Sequence, residues 1–275
     1  MSTAEQQQPA SPKKKARMIF MGFAAAFIAL AIYLHNTSRA EAMYIFPKGS
    51  TFEKEWKRVD SLSDQGLNND ALTLTNAIYQ KAKTEKNSAQ IIKALMHRFR
   101  FSGQVEETSE QVALIDLQNE LKTAKYPLKP IIHSMLAELY WAYYQQNRWT
   151  ISQRTQIVNY KPDDIATWDV NTIVDQCIKE YNLSLENKDS LQHTELGIYD
   201  DVITRETKSL EFRPTLYDFL AHRALDFFSS AEPDITRPAD KFELTDPACF
   251  DNYKKFSRQK YETKDTLSTK YYAIR

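Results

Sequence analysis

Apolar residues recur at helical spacing through most of the chain after residue 50. The first such segment places four of them on one helix face: Phe52, Trp56, Val59 and Leu62. Gly66 then suits a helix C-cap, and the next helix can begin from a polar cap at Asn68, Asn69 or Asp70. That second helix carries an inward face made of Ala71, Leu74, Ile78 and Ala82. The pattern predicts a helical hairpin.

Three more helices are predicted downstream by the same spacing. A third, from about Ser88 to Gly103, is predicted to bury Ile91, Ile92, Leu95, Met96 and Phe99. A fourth, from about Glu106 to Ala124, includes the apolar residues Val112, Ile115 and Leu117. A fifth follows Pro127 and Pro130 and contains Ile131, Ile132, Met135, Leu136, Leu139, Tyr140 and Tyr143. Helices joined by such short turns pack as antiparallel neighbours, so we expect an all-α fold of stacked hairpins.

The first hairpin resembles tetratricopeptide repeats in its size. Its Gly66-Leu67 turn and the small residues Ala71 and Ala77 fit a period near 34 residues. The later pairs do not repeat a fixed signature, so the expectation is a TPR-like α-solenoid over residues 51–275. Such a solenoid offers a concave surface to a protein or peptide.

Composition supports this fold class and excludes several functions. The chain has only five glycines, where an average composition of ~7% would give about nineteen. Phosphate-cradling loops need several glycines close together, so neither a P-loop nor a dinucleotide fingerprint is present. The 36 basic and 36 acidic residues cancel, and this balance gives no reason to expect a nucleic-acid partner.

The N-terminal region is predicted to reach a membrane. Residues 1–17 form a basic cytoplasmic lead, and the uncharged run from Met18 to Leu34 would extend roughly 26 Å as a helix. Because the basic residues precede the run, the rest of the chain is expected on the far side of the membrane, after a linker over 35–50. The run fits an uncleaved anchor or a signal peptide cleaved near Ala42, and a buried cytosolic helix fits the lysine flank less well.

The two cysteines allow two interpretations. In an oxidising compartment, Cys177 and Cys249 could form a disulfide, or they could remain a reduced buried pair. Neither cysteine stands at metal-ligand spacing from another cysteine or a histidine.

The helical pattern lapses between Asn147 and Asp169. Four side chains in this stretch form a candidate partner-contact loop: Trp149, Arg154, Tyr160 and Trp168. The alternative is that its aromatic rings fold back over the solenoid core. Asp163 or Asp169 can cap the helix that follows, which carries Ile173, Val174, Cys177, Ile178 and Tyr181.

Signals of catalysis are weak, and no catalytic residue, cofactor or metal site is predicted. The chain has no G-x-S-x-G elbow and no H-E-x-x-H helix, and its five histidines fall in separate segments. The stretch from Arg213 to Phe228 resembles a catalytic face, because Asp218, His222 and Asp226 recur every four residues. Three such positions extend over about 12 Å of helix axis, too far for one ion. We therefore expect a docking helix with Pro214 at its first position and a solvated polar stripe.

Several long strings resemble the N-terminal helical region of large bacterial alpha-2-macroglobulin-like proteins. They are HSMLAELYWAYYQQNRW from His133, NYKPDDIATWDV from Asn159 and FRPTLYDFLAHRALDFF from Phe212, with YNLSLEN from Tyr181 and RPADKFEL from Arg237. The resemblance covers most of the chain from about Phe52. It implies an exported, envelope-associated protein whose later β domains, in many members with a thioester domain, trap or inhibit proteases.

The machinery of protease trapping is not expected in this chain. A thioester needs a Cys-x-x-Gln arrangement, but Cys177 is followed by IKE and Cys249 by FDN. No alternating β pattern appears either, and Leu267, Tyr271 and Ile274 continue in helical register at the end. The chain is therefore expected to be an N-terminal portion of such a protein.

Two functional hypotheses follow. The first is a non-enzymatic, exported, membrane-associated module that contacts the macroglobulin domains or other envelope proteins. The second is an independent membrane-anchored TPR-like scaffold for periplasmic partners. Neither hypothesis has a small-molecule substrate.

Overall fold

A computed structural model describes residues 49–103, 109–153, 161–162, 164–203, 209–229, 252–256, 258, 265 and 274. These residues lie in the unit that runs from Phe46 to Arg275. The predicted leader and anchor over 1–34 and most of the 35–50 linker lie outside the described residues, as does Cys249. Among the helices that are described, none is long and apolar enough to cross a membrane.

The described part of the chain is all-α, as predicted. Six main helices come first: α1 (Phe52–Asp64), α2 (Asn68–Glu85), α3 (Ser88–Ser102), α4 (Ser109–Leu121), α5 (Leu128–Ser152) and α6 (Val170–Ser184). Four more helices follow: α7 (Lys188–Gln192), α8 (Ser209–Phe212), α9 (Leu216–Ser229) and α10 (Tyr253–Phe256). One 3-10 turn, Ile165–Thr167, precedes α6, and another, Leu196–Tyr199, lies between α7 and α8. The first six helices pack as sequential hairpins, and α9 returns to contact α5 and α7.

The C-cap of α1 is Gln65, one residue before the predicted Gly66, which is the left-handed residue that follows the cap. Gly66 adopts a left-handed conformation with φ of 73°, and the Leu67 N–H donates to the Leu62 carbonyl at 2.9 Å. The α2 N-cap is Leu67, whose side chain makes no capping hydrogen bond. Asn68, the first residue of α2, therefore lies inside the helix, and the prediction of an asparagine or aspartate cap was wrong.

Most residues of the predicted apolar faces are buried or partly buried, and three of them are exposed. Trp56, Val59, Leu74, Ile78 and Ile92 are among the core residues of α1 to α3. Met96 on α3 is 48% exposed, Phe99 on α3 is 36% exposed and Ile115 on α4 is 56% exposed. Apolar spacing shows that a helix face is apolar, but it does not show whether a neighbour covers the whole face.

Helix α5 is longer than predicted. It continues through Ser152, so the expected lapse from Asn147 was wrong for its first six residues. Pro130 lies in the first turn, where no N–H is needed for an intrahelical bond, and so it does not break the helix. Trp149 therefore projects from the last turns of a helix instead of a loop.

Helix α6 packs against α5 over a larger interface than any other described helix pair. Its N-cap is Asp169, whose Oδ1 accepts a hydrogen bond from the Thr172 N–H at 2.8 Å. Asp169 is one of the two residues that were predicted as the cap. Asp163, the other candidate, lies outside the described residues. Cys177 is a free buried thiol that donates to the Ala137 carbonyl of α5 at 3.4 Å. Burial raises its pKa well above the usual range for a thiol.

Helix α9 begins at Leu216, two residues later than the prediction that placed Pro214 at its first position. Thr215 and Asp218 form a reciprocal cap: the Thr215 N–H donates to Asp218 Oδ2 at 2.9 Å, and the Asp218 N–H donates to Thr215 Oγ1 at 3.3 Å. An isolated bridge pairs Glu195 with Thr215 just before the helix. Asp218 is thus a capping residue and not part of a free polar stripe.

Candidate functional site

A cavity of about 530 Å³ opens between helices α3, α4 and α5, and we call it the α3–α5 groove. Helix α3 lines it mainly with Ile92, Leu95, Met96 and Phe99. Helix α4 contributes Val112, Ala113 and Leu117, while α5 contributes Ile131, Met135, Leu139 and Ala142. The groove is closed at one side by Tyr199, Val202, Ile203 and Phe219. Its surface is therefore predominantly apolar and built from three consecutive helices.

Three charged side chains line the α3–α5 groove, and each has an ionic partner. Asp116 of α4 binds Arg98 of α3 at 2.8 Å. Burial raises the pKa of Asp116, and the nearby Arg98 charge partly opposes that effect. The Arg223 guanidinium of α9 pairs with Glu138 of α5. The charges of the three lining residues and of Arg98 therefore sum to zero.

Arg223 fixes one side of the groove by several contacts at once. Its Nε donates to Ser134 Oγ on α5 at 3.0 Å, beside the contact with Glu138. Its guanidinium also lies 5.5 Å from the centre of the Phe219 ring. These contacts join α9 to α5 and hold Phe219 against the groove.

The other side of α5 packs on α6 through a buried contact between a histidine and a carboxylate. His133 Nδ1 lies 2.6 Å from Glu180 Oε2, and both residues are buried. Gln176 donates to the second carboxylate oxygen of Glu180 at 2.9 Å. A buried carboxylate with two partners is satisfied, so this pair links the helices instead of awaiting a ligand.

Two further buried polar contacts link the first four helices. Tyr79 of α2 donates its hydroxyl to Glu120 of α4, and Lys83 reaches the same carboxylate at 2.9 Å. Burial, followed by the Glu120 contact, raises the pKa of Tyr79. Trp56 of α1 donates to Gln90 of α3 at 2.6 Å, and Gln90 donates to Asp201 at 3.0 Å.

Two residues of the predicted partner-contact loop, Trp149 and Trp168, differ in exposure. Trp168 is buried, with its ring 5.3 Å from Tyr140 and its Nε1 donating to the Lys161 carbonyl at 3.0 Å. Trp149 is 74% exposed, and the Arg148 guanidinium lies 5.5 Å from the centre of its ring. The fold-back alternative therefore holds for Trp168, whereas Trp149 projects into solvent. Arg154 and Tyr160 lie outside the described residues.

The histidines serve different structural roles. His133 pairs with Glu180, His193 is exposed, and His97 lies between the Trp56 and Phe101 rings. His97 Nδ1 is buried without a hydrogen-bond partner, and burial lowers the pKa of this imidazole. Within the described residues, no group of three His, Cys, Asp or Glu side chains could hold a metal ion.

Two of these features have no local signal in the sequence. His133 and Glu180 are 47 residues apart, so no helical spacing connects them. To predict the α3–α5 groove, one would need to know which apolar helix faces no neighbouring helix covers. One available signal was the high density of apolar residues between Pro130 and Tyr144 of α5, which is typical of a helix with neighbours on more than one face.

Comparison with known proteins gives no match: no family model, no curated protein and no solved structure aligns with the chain.

Proposed function

We propose that this chain is a non-enzymatic helical module that acts through protein–protein contacts. The α3–α5 groove is the observation that carries the proposal, because it leaves apolar side chains such as Met96 and Phe99 exposed on a concave surface. Concave apolar surfaces of this kind mark interaction sites on stacked helical hairpins. The hairpins themselves are proposed to form a TPR-like α-solenoid.

We further propose that the module is exported, associated with the membrane through residues 18–34, and part of an alpha-2-macroglobulin-like system. Support comes from the long strings that begin at His133, Asn159 and Phe212. The polar groups in two of them have structural roles that suit a contact module: His133 pairs with Glu180, and Asp218 caps α9. Protease trapping would require the β domains and thioester of such a system, so this chain alone is expected to supply contacts and not inhibition.

An independent membrane-anchored scaffold for periplasmic partners is the second candidate. The same groove favours it, because a docking surface serves either arrangement. The two are distinguished by whether the coding region continues into β-rich macroglobulin sequence or is followed by an unrelated gene.

Photo-crosslinking in cells tests the contact function. A benzoylphenylalanine placed at Phe99 in the groove, or at the exposed Trp149, should give discrete adducts with envelope proteins. The purified full chain should leave trypsin and elastase activity unchanged on a large protein substrate. Protection of the substrate from either protease would contradict the non-inhibitory role, and absence of adducts at both positions would contradict the contact role.

A further inference from the structure

We infer that the α3–α5 groove receives the apolar face of an amphipathic helix from a protein partner; this rests on the proposed contact function. The length of the groove is the first reason. Its α3 wall runs from Ile92 to Ser102, ten residue steps or about 15 Å, and its α5 wall runs from Ile131 to Ala142, eleven steps or about 16 Å. A groove of this length accommodates about three turns of a helix.

The charge pattern is the second reason, and it separates a helix from a charged lipid. Both arginines at the groove are engaged, Arg98 by Asp116 and Arg223 by Glu138. A fatty-acid carboxylate would have to displace one of these acidic partners to find a cation. A helix brings its own satisfied backbone hydrogen bonds and can keep its charged side chains on the solvent side, so an uncharged face complements this neutral groove.

The surface chemistry is the third reason. Met96 and Met135 are flexible, polarisable side chains that adapt to the shape of an apolar partner. Phe99 beside them supplies a large, partly exposed ring. Grooves of this composition bind helices that present large apolar side chains at i, i+3, i+4 and i+7. The volume of about 530 Å³ is enough for several such side chains.

The exposed apolar residues of α3 and α4 provide a matched pair of variants. Met96→Glu places a carboxylate in the groove, whereas Ile115→Glu makes the same change at a comparably exposed position that does not line it. Because both positions are already open to solvent, both variants are expected to fold. Equal helix content by circular dichroism is the control for that expectation.

A fluorescein-labelled synthetic helix tests the inference. The probe has leucines at the i, i+3, i+4 and i+7 spacing and a balanced Glu/Lys polar face, and it is titrated into the full chain held in lipid nanodiscs. Empty nanodiscs give the background. Anisotropy should show saturable binding, with Met96→Glu weakening it by about tenfold or more, since the added carboxylate would be buried without a partner. Ile115→Glu should leave the dissociation constant unchanged.

Four results would overturn the inference. They are the absence of saturable peptide binding, equal losses in the two variants, Met96-dependent binding of dodecanoate without peptide binding, and Met96-dependent dimerisation of the chain by sedimentation. If the crosslinker at Phe99 or Trp149 gives adducts in cells but the peptide does not bind, the helix inference is contradicted and the contact function is still supported. If neither crosslinking nor peptide binding is detected, the contact function is contradicted as well.

Discussion

Helix α5 has two apolar faces that the structure treats differently. Toward α6, it presents His133 and Ala137, which bond to Glu180 and Cys177 in a closely packed interface. Toward α3 and α4, it presents Met135 and Leu139, which line an open groove. The two faces differ in the neighbours that cover them. The closed face joins α5 to α6, and the open face is the one that we propose binds a partner.

The largest expected effect comes from breaking the His133–Glu180 contact on the closed face. Glu180→Ala leaves His133 and Gln176 without their shared carboxylate in a buried interface. We expect a loss of about 3–5 kcal/mol in the free energy of unfolding, because a buried partner is left uncompensated. Urea unfolding followed by tryptophan fluorescence measures it.

A paired replacement provides the control for that loss. The combination of His133→Leu with Glu180→Leu removes both polar partners, and it should recover most of the stability. A single-variant cost below about 1 kcal/mol would mean that the pair does not hold α5 to α6.

The next prediction compares the two faces with one substitution. Leu136 is 1% exposed, whereas Leu139 is half-buried and lines the groove. Leu136→Ala should cost about 2–5 kcal/mol of unfolding free energy, because a cavity remains in a packed region. Leu139→Ala should cost about 1 kcal/mol or less, because its site is already open to solvent. Equal costs at the two positions would argue against an open groove.

A smaller effect is expected at the start of α6. Asp169→Ala removes the side chain that accepts from the Thr172 N–H, and it should cost about 1 kcal/mol of unfolding free energy. Asp169→Asn keeps an acceptor at the cap and should retain most of the stability. If the alanine and asparagine variants were equally unstable in urea, the loss would come from the charge of Asp169 and not from its cap.

The smallest effect is a pH dependence from His97. Its pKa is lowered in the folded state by burial first, with the Asp60 charge opposing this and the Lys93 and Arg100 charges adding to it. The unfolded chain therefore binds a proton more readily, so this group removes stability as the pH falls below its unfolded value of about 6.5. The raised pKa of Asp116 acts in the opposite direction on acidification.

A variant isolates the histidine from that opposing contribution. His97→Phe retains a ring beside Trp56 and Phe101 and removes the unpartnered nitrogen. The drop in melting temperature between pH 7.5 and pH 5.5 should be smaller in the variant than in the original chain. An identical drop in both proteins would exclude His97 as the source.

Local sequence patterns predicted the helices better than they predicted the groove. The inward Trp56 and Val59 were predicted, the turn glycine Gly66 was placed within one residue of its position, and the Asp169 N-cap was one of two candidates. These features depend on residues within a few positions of each other. The exposure of Met96 and the pairing of His133 with Glu180 depend on which distant helix is adjacent. Helical spacing carries no information about which distant helices are adjacent. These two features therefore could not be predicted from the sequence and are seen only in the structure.

Oxidative footprinting of the full chain tests the central claim that a partner covers the open face of α5. Hydroxyl radicals would be applied to the chain in intact cells and to the purified chain, with oxidation of Met96 and Met135 measured by mass spectrometry. Phe212 is 77% exposed and does not line the groove, so it serves as the reference. We expect both methionines to be protected in cells relative to Phe212 and to become reactive in the purified chain. Equal reactivity of Met96 in the two preparations would contradict the claim.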